Sequence, residues 1–159
     1  MKPVLPVLLA ALLVGAFQLP AAAADAHRHD HGKAQTAKLQ LDAGRKWTTD
    51  QPLRQTMDAI NRAMGEALPL IHHDKFDAAR YRSLARTLND KVAYAVQNCK
   101  LDPKADAMLH IVIADILSGA EIMEAKAGAK RHDGAVKVMQ ALEAYGKHFE
   151  HPGWRVAKG

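Results

Sequence analysis

The feature that most constrains the fold is a set of four segments in which apolar residues recur at alternating steps of three and four. Such spacing places the apolar side chains on one face of an α-helix. The four stripes are Leu53, Met57, Ile60, Met64 and Leu68; Tyr81, Leu84, Leu88, Val92 and Val96; Leu109, Val112, Ile113, Ile116, Leu117, Ala120 and Met123; and Val138, Leu142, Tyr145 and Phe149. Because short connections join the segments and none has a strand pattern, the sequence predicts an all-α fold, an antiparallel up-down-up-down four-helix bundle over residues 48–151.

Capping and helix-breaking residues predict where each helix begins and ends. The starts are expected at Asp50 before Gln51-Pro52, at Asp77, at Asp102 before Pro103, and near Gly134. The ends are expected at Pro69, which ends or kinks the first helix, near Asn98, at a turn over residues 128–133, and at His151-Pro152-Gly153. Residues 152–159 then form a C-terminal tail.

The beginning of the chain has the composition of a secretory signal peptide, predicted over residues 1–24. One lysine precedes an apolar run and a stretch of four alanines. The run is too short to span a membrane as a helix. We therefore expect export to the periplasm, cleavage after Ala24 and no stable membrane insertion of the processed chain. The triplet Ala24-Asp25-Ala26 also satisfies the A-x-A rule, so cleavage after Ala26 is an alternative.

Cleavage after Ala24 would create the amino terminus Asp25-Ala26-His27, a candidate site for Cu(II) or Ni(II). The free amine, two ionised backbone amides and the imidazole of the third residue supply four nitrogens in a square, the geometry that these ions prefer. Cleavage after Ala26 would instead make His27 the terminus, whose own amine and imidazole can chelate a metal together. Cleavage after Ala23 would place His27 fourth and weaken the site.

Residues 25–47 are polar, small and aperiodic, and we predict that they form a flexible His-rich arm. His29 and His31 in this arm can add imidazole ligands to the amino-terminal site. Copper is the favoured metal, with nickel and zinc as alternatives. Leu39 and Leu41 are the residues of the arm that can dock on the bundle. The alternative interpretation is a polar tail whose histidines only add solubility.

The remaining composition excludes several classes of protein. The net charge is +5 and no basic run alternates with aromatic residues, so we expect no nucleic-acid partner. The chain has no glycine-rich phosphate loop, no nucleophile elbow and no H-E-x-x-H motif, so we do not expect an enzyme. Cys99 is the only cysteine, which excludes an intrachain disulfide and favours a small buried apolar role for this side chain.

Two further groups of histidines are candidates for polar chemistry. His72 and His73 are expected in a solvated turn after the first helix. In an antiparallel bundle His132 would lie at the same end, and the three together would form a second metal site. Asp106 and His110 are four residues apart on the third helix, so we expect the aspartate near the helix start to bond to a half-buried histidine.

His148, near the end of the fourth helix, has a possible counterpart across the bundle in Met57, near the start of the first. Methionine and histidine are axial ligands of low-spin haem. With Met57 in Leu-Arg-Gln-Thr-Met and His148 in Tyr-Gly-Lys-His, the exported four-helix layout over residues 48–151 resembles the cytochrome c-prime and soluble periplasmic b-type cytochrome family. The resemblance implies haem b held by these two residues without covalent attachment, since the chain lacks Cys-x-x-Cys-His. His148 and His151, three apart, could also converge on one ligand.

Residues 45–50, 98–101 and 106–110 are also similar to segments of small periplasmic bacterial proteins to which we assign no role. We therefore expect a periplasmic, non-enzymatic protein that buffers, sequesters or delivers copper, with the metal ion and a metal-receiving periplasmic protein as partners. One alternative is a b-type haem protein for electron transfer, with Met57 and His148 as ligands. The other is a structural or interaction bundle that holds no ligand.

Overall fold

The computed structural model of the protein describes residues 38–125 and 130–158. It contains four helices, α1 (Gln51–His72), α2 (Ala78–Asn98), α3 (Pro103–Glu124) and α4 (Arg131–His148). Within the described residues the strand-like pairings are isolated bridges outside any strand, so the predicted all-α class is confirmed. Over the same residues, no helix has both the length and the apolar character needed to cross a membrane. The predicted signal peptide and the first part of the predicted arm lie outside the described residues.

Aspartate caps fix the starts of the first three helices, as the sequence predicts. Oδ1 of Asp50 accepts a hydrogen bond from the backbone N–H of Leu53 at 2.9 Å, and Oδ1 of Asp77 accepts one from Arg80 at 2.9 Å. Asp102 caps the first turn of α3 in the same way. Because these bonds satisfy N–H groups that no helical carbonyl can reach, each aspartate stabilises the first turn of its helix.

Two helix boundaries involve residues that usually break helices. Pro69 does not end α1, which continues to His72, so of its two predicted effects only a kink is left open. Helix α4 begins at Arg131 rather than near Gly134. Gly134 lies inside the first turn of α4 and faces Gly119 of α3, where a side chain would not fit.

The core is made by the predicted stripes, with two exceptions. Every predicted stripe residue of α1 and α4 is buried, but Val96 is 63% exposed and Leu117 is 38% exposed. In α2 the buried position falls to Ala95 instead of Val96, because the last step of the stripe is three residues rather than four. In α3 the neighbouring Ile116 is fully buried, so Leu117 lies at the edge of the core.

Each helix packs against the next helix along the chain, and the most extensive interface joins α3 to α4. A Cβ atom on Gly119 would lie 2.7 Å from the carbonyl oxygen of Gly134, so the lack of side chains lets these backbones approach closely. Asp115 and Lys137 form an ion pair at 3.1 Å across the same interface. Helices α1 and α4 contact each other less than helices that are adjacent in the chain. The segments that flank the bundle cover the seam between α1 and α4.

The segment before α1, residues 38–50, is attached to the end of α4. The backbone N–H of Trp47 donates to the carbonyl of His148, and the N–H of Glu150 donates to the carbonyl of Trp47, both at 2.8 Å. The ammonium group of Lys46 donates to another carbonyl of α4 at 2.6 Å. These bonds hold the entrance of the chain into α1 beside its exit from α4.

The two leucines of this segment have different surroundings. Leu39 packs against the hydrophobic core, whereas Leu41 is 42% exposed. The indole N–H of Trp47 donates to the carbonyl of Gln40 at 2.6 Å, which closes the segment on itself. The described part of the predicted arm, residues 38–47, is therefore attached to the bundle, and of its two leucines Leu39 docks.

The segment after α4, residues 151–157, lies along α1 and α4. The side-chain amide of Asn61 in α1 donates to the carbonyl of Arg155 and accepts the N–H of Ala157, both at 2.8 Å. Trp154 packs against the hydrophobic core. The predicted C-terminal tail is therefore part of the packed structure at these residues.

Candidate functional site

The residues predicted for the amino-terminal metal site lie outside the described residues. They are Asp25, Ala26, His27, His29 and His31. The candidate site that the structure describes lies at the end of the bundle where the start of α1 meets the ends of α2 and α4.

His151 is the centre of this site. It follows α4 by three residues, yet its side chain is only 5% exposed. Its Nδ1 lies 3.0 Å from the hydroxyl oxygen of Tyr145 in α4, and its Nε2 lies 3.4 Å from Oδ1 of Asp58 in α1. One imidazole therefore joins two helices through both of its nitrogens.

Burial determines which groups of this network carry protons. Burial lowers the pKa of His151, although the charge of Asp58 acts in the opposite direction. Burial also raises the pKa of Tyr145, so its hydroxyl keeps its proton. A neutral imidazole can accept that proton at Nδ1, which leaves its Nε2–H facing the Asp58 carboxylate at 3.4 Å.

A polar cleft of about 570 Å³ opens beside the network. Its lining residues are Thr48, Thr49, Gln51, Arg54, Gln55, Asp58, Glu150, His151 and Pro152. The guanidinium of Arg54 donates to the carbonyl of Thr49 at 2.6 Å and to its hydroxyl at 3.0 Å. That hydroxyl donates to the carbonyl of Glu150 at 2.6 Å, so it is not an activated nucleophile. The cleft can offer hydrogen bonds to a polar molecule.

This network is not predicted from the sequence, in which His151 reads only as a helix stop and as a partner of His148. The structure separates the two histidines, since Nδ1 of His148 donates to the carbonyl of Ala144 within α4 at 2.8 Å. The available signal was Tyr145, a tyrosine at a core position of the stripe. A buried tyrosine hydroxyl needs a hydrogen-bond partner, and polar residues soon after the helix are natural candidates.

Cys99 lies on another side of the same end of the bundle, at the end of α2. Its side chain is half-buried rather than fully buried, and it lines a cleft of about 470 Å³. Burial, the charge of Asp50 and a hydrogen bond to that carboxylate raise the pKa of the Cys99 thiol to about 12. The thiol is therefore protonated and poorly nucleophilic at neutral pH.

Asp106 and His110 contact each other as predicted, but on an exposed surface. Nδ1 of His110 lies 2.9 Å from the backbone carbonyl oxygen of Asp106 and 3.4 Å from its carboxylate. The side chain of His110 is 64% exposed, so the expected half-buried histidine is wrong. The pair lies in the first two turns of α3, where the aspartate also favours the helix N-terminus.

The predicted group of three histidines is formed only in part. His72 and His132 line one cleft of about 420 Å³, whereas His73 is not among its lining residues. Apolar side chains of α1 and α4 form much of the wall of this cleft. Among residues 38–125 and 130–158, no group of three or more histidine, cysteine, aspartate or glutamate side chains is arranged to hold a metal ion.

The two residues predicted for haem are placed differently from each other. Met57 is a fully buried core residue, and His148 is half-buried at the end of α4. Tyr145 and Phe149 are close to His148 in the sequence and are fully buried, and their rings stack with centroids 5.2 Å apart. Neither Met57 nor His148 lines any of the clefts of 570, 470 and 420 Å³. The arrangement gives the haem alternative no support, and it stays a prediction.

Comparison of the chain with models of protein families, with curated proteins and with solved structures finds no match. The resemblance to the cytochrome c-prime and b-type cytochrome family therefore stays a prediction.

Proposed function

We propose that the protein binds Cu(II) in the periplasm through the amino terminus that signal-peptide cleavage exposes. The observation that carries this proposal is the order Asp25-Ala26-His27 directly after the predicted cleavage point. The amine, two backbone amides and the imidazole of His27 would bind the ion in a square plane, and two further histidines follow closely. The physiological role would be buffering, sequestration or delivery of copper to a receiving protein, with nickel and zinc as competing metals.

Within residues 38–125 and 130–158, no three histidine, cysteine, aspartate or glutamate side chains are grouped so that they could hold a metal ion. The ligands of the amino-terminal site, in contrast, are consecutive in sequence. Such a site needs no folded scaffold to bring its ligands together, because one short peptide supplies all four nitrogens.

The proposal includes an antiparallel up-down-up-down scaffold. Three contacts support this topology. Trp47 before α1 pairs with Phe149 after α4, and Gly119 late in α3 faces Gly134 early in α4. The carboxylate at the start of α1, on Asp50, accepts a hydrogen bond from the connection between α2 and α3.

The test is a Cu(II) titration of the exported, processed chain with its natural amino terminus. We expect one equivalent of Cu(II) to produce a visible d–d band at the square-planar position. H27A and acetylation of the terminal amine should each abolish the band. Affinity should fall steeply below about pH 6, because the imidazole must be neutral to bind the metal.

H148A is the matched control, because it removes a histidine whose Nδ1 is already bonded within α4. It should leave the band unchanged. A band that survives both H27A and acetylation would contradict the proposal. So would a mass of the exported chain that places its amino terminus at neither residue 25 nor residue 27.

A further inference from the structure

The strap, which we define as residues 151–157, covers the seam between α1 and α4. Asn61 of α1 holds its backbone by one donated and one accepted hydrogen bond, both at 2.8 Å, to residues two apart. A Cβ atom on Gly65 would lie 3.0 Å from Cβ of Ala157, so α1 has a small residue where the strap passes. The strap begins with a turn, in which the N–H of Trp154 donates to the carbonyl of His151 at 3.1 Å, and α1 holds the residues that follow.

The side of α4 that faces the strap is also shaped to receive it. A Cβ atom on Gly146 would lie 2.5 Å from the indole ring of Trp154, so only glycine allows this packing. The same indole ring packs edge-to-face on Tyr145, with centroids 4.9 Å apart. Trp154 therefore packs directly on α4, so its fluorescence should report whether the strap is bound.

His151 is the first residue of the strap and its only histidine. Its ring is packed against Trp154 with centroids 4.9 Å apart and lies between the Tyr145 hydroxyl and the Asp58 carboxylate. The bound imidazole accepts the phenolic proton of a fully buried tyrosine. A protonated imidazole carries a hydrogen at Nδ1, so this hydrogen bond would have to reverse and the buried phenolic O–H would lose its acceptor.

We propose that the strap is an acid-sensitive closure of the α1–α4 seam, released when His151 is protonated while the four helices stay folded. Release would expose the α1–α4 seam, together with the surface of α4 on which Trp154 packs and the surface of α1 on which Ala157 packs. The proposal concerns the described bundle alone and does not depend on metal binding at the amino terminus.

Burial of His151 decides the direction of the effect. Burial and the nearby guanidinium of Arg54 disfavour its protonation, whereas Asp58 favours it, and the result is a pKa below the ordinary value of 6.5. Tyr145 stays neutral because burial raises its pKa. A released His151 would titrate near 6.5 and would bind the proton more tightly than the bound one. Acidification therefore favours the released state.

The experiment follows Trp154 in a W47F variant, which leaves it as the only tryptophan of the chain. Emission and far-ultraviolet circular dichroism are recorded from about pH 8 to about pH 5. We expect a red shift of the emission with a midpoint below 6.5, at unchanged helicity. The shift should be absent in W47F/H151Q and should remain in the matched control W47F/H148Q.

Hydrogen exchange of the unmodified chain gives a second readout that does not depend on the W47F variant. Amides of residues 151–157 should exchange several-fold faster at acidic pH, after correction for intrinsic rates, while amides of α1 and α4 stay protected. N61A should speed exchange of the strap already at neutral pH. The proposal is overturned if the emission change persists in W47F/H151Q, if it coincides with loss of helicity, or if strap exchange does not respond to pH.

Discussion

At the scale of single residues, Asp50 performs three tasks with one carboxylate. One oxygen caps α1 through Leu53, and the other accepts the backbone N–H of Lys100 at 2.6 Å. Burial raises the pKa of the neighbouring Cys99 thiol, and the same carboxylate raises it further by its charge and by a hydrogen bond. A residue recognised in the sequence only as a helix cap therefore also positions the connection between α2 and α3 and adds to the effect of burial on the single cysteine.

The thiol of Cys99 should react slowly with alkylating reagents in the folded protein. With a pKa of about 12, only about one thiol in ten thousand is ionised near pH 8. D50N should raise the rate of alkylation several-fold, because it removes the negative charge while asparagine still caps α1. The measurement is the rate of iodoacetamide labelling, with the unfolded chain as the fast reference. Equal rates in the wild type and in the unfolded chain would contradict this account.

At the scale of the helices, the caps and the glycine contacts explain which sequence predictions succeed. A cap is a local pattern, so the starts of α1, α2 and α3 follow from Asp50, Asp77 and Asp102. The start of α4 does not, since Gly134 is explained by a contact with another helix rather than by its sequence neighbours. Predictions from periodicity fail in the same way at positions where the partner helix decides which residue is buried.

The two caps Asp50 and Asp77 provide a matched pair of variants. D77A should cost about 1 kcal/mol of unfolding free energy, the usual value of one N-cap. D50A should cost about 1 kcal/mol more, because it also removes the acceptor of the Lys100 amide. Urea denaturation of both variants measures the difference. A cost for D50A no larger than that for D77A would show that the bond to the α2–α3 connection adds no stability.

At the scale of the whole molecule, the segments outside the helices complete the bundle. Helices α1 and α4 contact each other less than helices that are adjacent in the sequence do, and residues 38–50 and 151–157 join them. Hydrophobic patterns cannot reveal these segments, because they are short, aperiodic and rich in polar residues. Their polar contacts join residues that are far apart in the sequence, such as Asn61 and Arg155 or Asp58 and His151, so the core position of Tyr145 was the one local signal of the polar site at this end.

Trp47 should contribute more to global stability than its place outside the helices suggests. W47A removes a half-buried indole that packs on the core, and we expect a loss of about 2 kcal/mol. L41A is the matched control in the same segment, since Leu41 is 42% exposed, and it should change stability by less than about 0.5 kcal/mol. Thermal unfolding of both variants measures the effect. Similar melting temperatures for the two would contradict the assigned role of Trp47.

The bridge between Trp47 and Phe149 holds the residues just before α1 next to the residues just after α4. The chain enters α1 and leaves α4 at neighbouring points, held by two hydrogen bonds of 2.8 Å. A short peptide link there would turn the four helices into a ring without crossing the core. Opening the ring at the exposed connection between α1 and α2 would give a chain that begins with α2 and ends with α1. We expect the four helices of this permuted chain to pack as they do in the natural order.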